Sequence, residues 1–336
     1  MIVSFCVVAR NEEKNMPDIF NMIMAQDYPH EKIEIIFVDS MSTDKTKKYM
    51  DEFVAKARGF YNSKVVENEK IKQAPGWNIA IQNASGDVII RFDAHGYAPP
   101  DFVSRRVKVI KDGEYVAGGP CHRIVDEQTK WKETLLTAES SMFGSGIAPY
   151  RRNSVRTYVK SISHGIYRRE VFDKTGGFNE NLGRTEDNEM HYRIRKSGYK
   201  ICFEPSCISY HHTRSSLKAM LKQKYGNGFW IGRTIGICPK CFSIFHFVPA
   251  IFVLFILASL ILATIGYPIF IILLTVLYGI ANIIMTITSI FKKNFWIGDI
   301  FLPIIFILLH FSYGVGTILG LISMPRWRHV VYLKKE

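Results

Sequence analysis

Three acidic positions carry most of the chemistry that this sequence offers. Asp93-Ala94-His95 presents a carboxylate and an imidazole at i and i+2, so both can reach one divalent cation. A cation held between phosphates neutralises the charge of a departing diphosphate. The plainer alternative is a strand-end aspartate capping the next turn, with His95 on the surface. Asp187 follows Thr185-Glu186 and leads into the helical run Met190–Ser197, after a Gly176-Gly177-Phe178 turn. A Thr or Asp there is commonly an N-cap. A carboxylate fixed in direction at a helix start can also take a proton from an attacking hydroxyl. Between these sites lie Arg151, Arg152, Arg156, Lys160, Arg168 and Arg169. They form either a solvated face or a surface that recognises phosphate.

The elements that lead to these residues set their direction. Ile2–Ala9, Ile33–Val38 and Asp87–Phe92 are short apolar runs of the buried-strand type, and Phe60–Val66 reads as extended. Glu12–Gln26, Thr46–Ala57 and Gly76–Ala84 have helical spacing between them. Such alternation implies an α/β fold with a mostly parallel sheet and helices on both faces. Ligands of these sheets sit beyond the carboxyl ends of the strands. Asp39 and Asp93 both fall at such ends. The segment after the first strand is Ala-Arg-Asn-Glu-Glu, without the glycines of a dinucleotide-binding turn.

Composition bounds the rest. The chain has 336 residues, 48% hydrophobic and 22% charged, which excludes a disordered protein. From Ser243 to Ser323 the only formal charges are Lys292, Lys293 and Asp299. Phe245–Ile265, Tyr267–Ile290 and Ile300–Ser323 hold 21, 24 and 24 residues, against about 20 needed to span a bilayer. A purely soluble protein is excluded. The charge-rich stretch Met1–Phe242 equally excludes a conventional many-pass transporter. Lys292 and Lys293 argue for a cytoplasmic connection, which would leave the basic tail outside if all three runs spanned. Pro303, His310, Gly314, Gly316 and Gly320 make the third run the candidate for a re-entrant or interfacial segment. Leu217–Trp230 interleaves lysines with apolar residues and is expected to lie on the membrane surface. The net charge of +13 suggests anionic partners, with acidic lipid or phosphorylated molecules ahead of nucleic acid, for which no motif is present. The six cysteines give no disulfide framework, and Cys238-Pro-Lys-Cys241 lacks the second ligand pair of a zinc site. Met1–Ala9 has no basic flank and reads as a strand rather than a signal peptide, which keeps the polar part in the cytoplasm.

Together these residues resemble family 2 glycosyltransferases of the GT-A (nucleotide-diphospho-sugar transferase) fold. Within that family they are similar to membrane enzymes of bacterial exopolysaccharide assembly, of the succinoglycan glucosyltransferase type. The resemblance spans about residues 2–233. It rests on Val7-Val8-Ala9-Arg10-Asn11-Glu12-Glu13, Ile36-Phe37-Val38-Asp39-Ser40, Arg91-Phe92-Asp93-Ala94-His95-Gly96, Gly176-Gly177-Phe178-Asn179-Glu180 and Thr185-Glu186-Asp187, in that order. It implies a cytoplasmic GT-A domain at 1–215, an interfacial segment at 216–242, a membrane domain of two or three helices at 243–323 and a basic tail at 324–336. By the resemblance, Ala9, Asn11, Glu13, Asp39 and Asp93 contact the donor. Asp93 and His95 hold Mg²⁺ or Mn²⁺, with His95 where the family's metal motif has a second Asp. Asp187 is the catalytic base with Glu186 beside it, and Arg151, Arg214, Gln223 and Trp230 contact acceptor or phosphate.

The implied activity is metal-dependent, inverting transfer of one hexose from a nucleotide-diphosphate sugar, a UDP-sugar first. The acceptor is membrane-held, as a polyprenyl-diphosphate oligosaccharide is. The setting is a multi-pass protein of the cytoplasmic membrane with its catalytic domain facing the cytoplasm. The Q-x-x-R-W motif of processive synthases is not matched around Gln223–Trp230, which disfavours polymer synthesis. Two other readings stay open: a polyprenyl-phosphate monosaccharide synthase, and a non-catalytic membrane scaffold that binds nucleotide sugars or acidic lipid.

Overall fold

The computed structural model describes residues 1–144, 154–291 and 295–333. The chain divides into two compact units. One is Met1–His122 with Pro149–His212, and the other is Arg123–Ala148 with Thr213–Glu336.

In the first unit the apolar runs become β1 (Val3–Ala9), β2 (Ile33–Asp39), β3 (Asn62–Glu67) and β4 (Val88–Asp93). They lie in the order β3-β2-β1-β4, all parallel. Helices α1 (Met16–Met24), α2 (Thr46–Lys56) and α3 (Gln73–Asn83) make the crossovers. α1 begins later than the spacing predicts, because Pro17 suits a first turn, where no backbone donor is needed. The chain continues through β5 (Gly96–Tyr97), α4 (Phe102–Lys111), β6 (Val116–Gly119) and β7 (Cys121–Ile124). α5 (Lys130–Ser140) belongs to the second unit. Then come β8 (Thr157–Tyr158), β9 (Ser163–Arg168), α6 (Arg169–Thr175), α7 (Glu186–Lys196), β10 (Ile201–Phe203) and β11 (Ser209–His212).

The eight-stranded sheet runs β3-β2-β1-β4-β9-β6-β10-β8, with β9 antiparallel to both of its neighbours and β8 antiparallel at the edge. One apolar core packs α1, α2 and α4 on one face, where Phe5, Phe92 and Phe102 meet edge to face or tilted. A second core packs α3, α6 and α7 on the other, around Trp77 and Tyr167. Two covered faces are what continuous apolar strands require.

The second unit holds α5, α8 (Leu217–Thr234), α9 (Val248–Thr264), α10 (Ile269–Ile290) and α11 (Leu302–Arg328). Two helical stretches, Ile269–Ile290 and Ile297–Tyr332, are long and apolar enough to cross a membrane, while α9 is a shorter apolar helix. The third apolar run, the candidate for a re-entrant or interfacial segment, is part of the helix Leu302–Arg328. Pro303 sits in the first turn, where its missing N–H costs nothing. Gly316 and Gly320 are contact surface rather than breaks: a β-carbon at either would meet the carbonyl oxygen of Tyr225 or Phe229 on α8. Small residues four apart let helix backbones approach closely in lipid.

α8 packs one face inside the unit, burying Met220, Lys224, Gly228 and Ile231. Asp299, the lone acid of the apolar block, is buried and accepts hydrogen bonds from Thr134 Oγ1 (2.7 Å) and the Trp296 backbone N–H (3.1 Å). His310 joins Tyr278 OH and the Phe143 carbonyl at 2.8 and 2.6 Å, a helix–helix contact. Cys238 and Cys241, expected as ordinary small apolar residues, are joined in a disulfide across one turn after α8.

The α8–α11 contact makes a prediction. Gly320→Val should overpack it and lower stability by about 1–3 kcal/mol, whereas Gly279→Val, with nothing within 4 Å of the added carbon, should be tolerated. Thermal midpoints of the two full-length variants in one detergent check this; equal midpoints would contradict the packing.

Candidate active site

Strand register places the first two acids. Ala9 at the end of β1 pairs with Asp39 at the end of β2, and the preceding Val8 pairs with Asp93 at the end of β4. Both acids therefore stand at one edge of the sheet, on the strands flanking β1. Asp39 is buried, and its Oδ2 accepts the Ser42 backbone N–H at 3.1 Å. Its Oδ1 has no hydrogen-bond partner. A buried carboxylate oxygen left unpaired is costly, and its position suits a donor group of a ligand.

The loop after β1 is tied to the loop after β2. The backbone N–H groups of Asn11, Glu12 and Glu13 donate to Ser42 Oγ, Thr46 Oγ1 and Asp44 Oδ2. The Asn11 and Glu13 side chains accept from the Thr43 and Lys45 backbone N–H groups at 2.8 and 3.1 Å. Both side chains, expected to contact the donor, are thus engaged in holding the two loops together.

The third acid arrives by way of Arg91. This residue interrupts the apolar run of β4 and is 8% exposed. Its guanidinium lies over Trp77 of α3 at 4.6 Å and Phe178 at 5.5 Å. It donates to Asp187 Oδ1 and lies 3.7 Å from Asp93 Oδ1. Phe178 is set by Asn78, which donates to its carbonyl and accepts from its N–H at 2.9 and 2.6 Å. The Gly176-Gly177-Phe178 turn is thereby docked on α3 ahead of α7. Thr185 occupies the N-cap position of α7 without a side-chain capping bond, so the simple capping alternative is not realised.

The electrostatics follow from this packing. Burial raises Arg91's desolvation cost, but Asp187, Asp93 and Glu186 keep it charged. Burial also raises Asp93, yet His164, Arg91 and His95 outweigh it and hold the carboxylate well below its ordinary range. Burial and the neighbouring Asp187 push Glu186 up to about 7. Asp187 is raised by burial and Asp93 against the pull of Arg91. The two adjacent carboxylates thus differ: Glu186 is closed in, while Asp187 is one-third open at 33% side-chain exposure.

Among the described residues, the grouped metal-ligating atoms belong to Asp93, His164 and His211, all within 4.8 Å of one another. One carboxylate and two imidazoles fit a divalent metal ion. His95, expected to share the metal with Asp93, lies beside this group, with its Nδ1 3.6 Å from Glu12 Oε1 and its ring edge-on to His211 at 4.3 Å. Burial would lower His164, but the Cys121 sulfur and Asp93 raise it to about 9.

Three residues of the basic stretch have structural partners. Arg168 donates to the carbonyls of Glu114 and Ile110, Arg169 to that of Gly86, and Arg156 pairs with Asp112 and Glu114. Arg151 and Arg152 lie outside the described residues. Arg214, Gln223 and Trp230 belong to the second unit. There Arg214 is exposed, the Gln223 side-chain oxygen is buried without a partner, and Trp230 packs edge-on against Trp327 at 6.0 Å. Sequence reasoning assigned no role to Arg91, His164 or His211. A lone arginine inside a buried strand was the available signal for the first.

The sequence profile described as glycosyl transferase family 2 matches residues 4–176. A Methanococcus voltae protein, dolichyl N-acetyl-alpha-D-glucosaminyl phosphate 3-beta-D-2,3-diacetamido-2,3-dideoxy-beta-D-glucuronosyltransferase, is 29% identical over 327 residues, covering 96% of this chain and 97% of its own. Succinoglycan biosynthesis protein ExoA of Rhizobium meliloti is 28% identical over 202 residues, 58% of each chain. Among solved structures, the mannosyltransferase PcManGT of Pyrobaculum calidifontis, in complex with GDP-Man and Mn²⁺, superposes with a TM-score of 0.67. It is 15% identical and covers 96% of this chain and 86% of that one, a likeness of fold.

His191, one turn after Asp187, is buried between Ser161 Oγ and Tyr167 OH, each 2.9 Å away, and burial pushes it down to about 3. An unfolded His titrates near 6.5. Between these values the unfolded chain binds the extra proton, so stability must fall as pH falls through the window. The slope is about 1 kcal/mol per pH unit. His191→Gln should remove that part of the acid sensitivity, read from denaturant midpoints of the full-length protein at pH 7 and pH 5. An unchanged slope would contradict the neutral buried state.

Proposed function

The chain belongs to glycosyl transferase family 2, and from that premise we propose that it moves one sugar from a nucleotide-diphosphate sugar to a lipid-linked acceptor, inverting the anomeric centre. The observation that carries the reading is the shared hold of Arg91 on Asp93 and Asp187. It brings a metal-binding acid and a helix-start acid to the same sheet edge as the unpaired oxygen of Asp39.

In this reading Asp39 Oδ1 accepts a hydrogen bond from the donor's nucleoside, a UDP-sugar first. Asp93 and His211 hold Mg²⁺ or Mn²⁺. The cation, when bound, neutralises charge on the departing diphosphate. Asp187 takes the proton of the acceptor hydroxyl as that oxygen attacks the anomeric carbon from the face opposite the leaving group. Its opening to solvent leaves room for an acceptor. A carboxyl raised towards working pH is a better base than an ordinary one. Glu186, raised by burial and by Asp187, holds a proton more readily than an ordinary carboxylate. This limits repulsion between the adjacent acids and leaves Asp187 the ionised partner of Arg91. Ala9 lets the first strand's end approach the nucleotide, and Asn11 and Glu13 hold the loops around it.

The acceptor class is supported by the Methanococcus voltae relative, named for transfer to a dolichyl-linked sugar phosphate, and by the apolar helices of the second unit. Those helices keep the chain at a bilayer, where the search for a lipid-linked acceptor is two-dimensional.

A positioned base typically contributes about 10²–10⁴-fold. Asp187→Asn should therefore lower turnover by that range, in an assay with a UDP-sugar panel and a polyprenyl-linked sugar acceptor, while nucleotide binding persists. Undiminished turnover would remove Asp187 from the role. Transfer to bare polyprenyl phosphate alone would move the activity to carrier-lipid synthesis.

A further inference from the structure

We propose that His164 is a ligand of the catalytic cation. The site is then one carboxylate and two imidazoles, a set that favours Mn²⁺ over Mg²⁺. The inference rests on the transferase reading of this edge and adds the ligand and the metal preference.

His164 is an odd residue for the core of a sheet. It is 3% exposed, and its backbone has φ +46°, in the left-handed region that residues with a β-carbon rarely enter. Such conformations persist where the surroundings over-determine them, and they cluster at functional sites. Among the described residues neither ring nitrogen meets a partner at full hydrogen-bond distance, although a buried imidazole ordinarily does; the Asp93 carboxylate and the Cys121 sulfur are the groups that face it. Nε2 instead lies 3.5 Å from Asp93 Oδ2.

The surroundings are built to keep the ring there. Phe92 stacks on it at 4.4 Å between centroids. Gly96 leaves the space it occupies, since a β-carbon there would lie 2.9 Å from His164 Cε1. Arg106, fully buried, donates from Nε to the His164 carbonyl at 3.1 Å and from Nη2 to the Cys207 carbonyl at 2.9 Å. Cys207 lies just ahead of β11, which carries His211. One buried cation thus holds the backbone at His164 and just ahead of β11, and among the described residues it forms no ion pair. The effort makes sense if the two rings must converge on a third body.

The donor set also bears on preference. Mg²⁺ takes oxygen ligands in near-ideal octahedra and keeps its waters, so two nitrogen donors disfavour it relative to the transition ion Mn²⁺, while imidazole suits Zn²⁺ and Fe²⁺ better still. His95, turned to Glu12, is not part of the set.

The test uses full-length protein in detergent with Mn²⁺ alone, followed by electron paramagnetic resonance. Bound Mn²⁺ should show nitrogen couplings from two imidazoles in the wild type, and excess Mg²⁺ should displace it poorly. His164→Gln should lose one coupling and weaken Mn²⁺ by at least about 10–100-fold, the range seen when a supporting contact is lost. His95→Gln should change neither. One imidazole in the wild type, or unchanged affinity in His164→Gln, overturns the assignment. The wild-type spectrum decides even if the variant fails to fold. Asp93→Ala separates the two layers. If it loses Mn²⁺ while His164→Gln keeps it, only the ligand assignment fails; if Asp93→Ala also keeps it, the reading of this edge as the donor site fails with it.

Discussion

A guanidinium buried in a β-strand must find its counter-charges nearby, and that requirement organises this site. Arg91 enters the interior from β4, is walled by Trp77 and Phe178, and meets its charge balance in Asp93 and Asp187. Burying an ion without its partner is far costlier than burying the pair. The start of α7 is thereby held against the end of β4. Two acids distant in sequence become neighbours because one cation needs both.

The pair is not symmetrical. Asp93 faces imidazoles and is held strongly ionised, as a metal ligand must be. Asp187 and Glu186 face burial and each other, and both rise. Environments that push carboxylates apart in this way separate a permanently charged role from a proton-accepting one. Membership of family 2 fits that division. The same sheet edge ends in Asp39, whose Oδ1 has no hydrogen-bond partner among the described residues.

Much of the first unit was legible in the sequence because buried parallel strands write themselves as unbroken apolar runs, and Asp39 and Asp93 mark where those runs stop. α2 matches its helical spacing to within one residue, while α3 begins at Gln73, ahead of the Gly76 that the spacing marks. What was hidden depended on tertiary pairing. His164 and His211 come from β9 and β11, whose short runs carry no ligand spacing, so the eye falls on His95, two residues from Asp93. Arg91 reads locally as a strand defect until α7 is folded against it. In the second unit, the alternating lysines and aromatics of α8 gave no sign of the face it packs against α11. The residues that decide its fate, Gly228 and Gly232 with Gly316 and Gly320 on α11, are invisible to a hydropathy count. Gly316 and Gly320, two of the residues that marked the third apolar run as a re-entrant or interfacial candidate, are contact surface against α8.

The account stands on one claim: the carboxyl ends of β1, β2 and β4 form a nucleotide–diphosphate cleft with Asp187 at its sugar side. A structure of the full chain with UDP and Mn²⁺, using the anomalous signal of manganese, tests it most directly. The prediction is a manganese peak against Asp93 and bridging the diphosphate, with a nucleoside donor on Asp39 Oδ1 and Asp187 facing the terminal phosphate. Nucleotide bound away from this edge, or Asp187 turned from the diphosphate with Arg91 paired elsewhere, would contradict it.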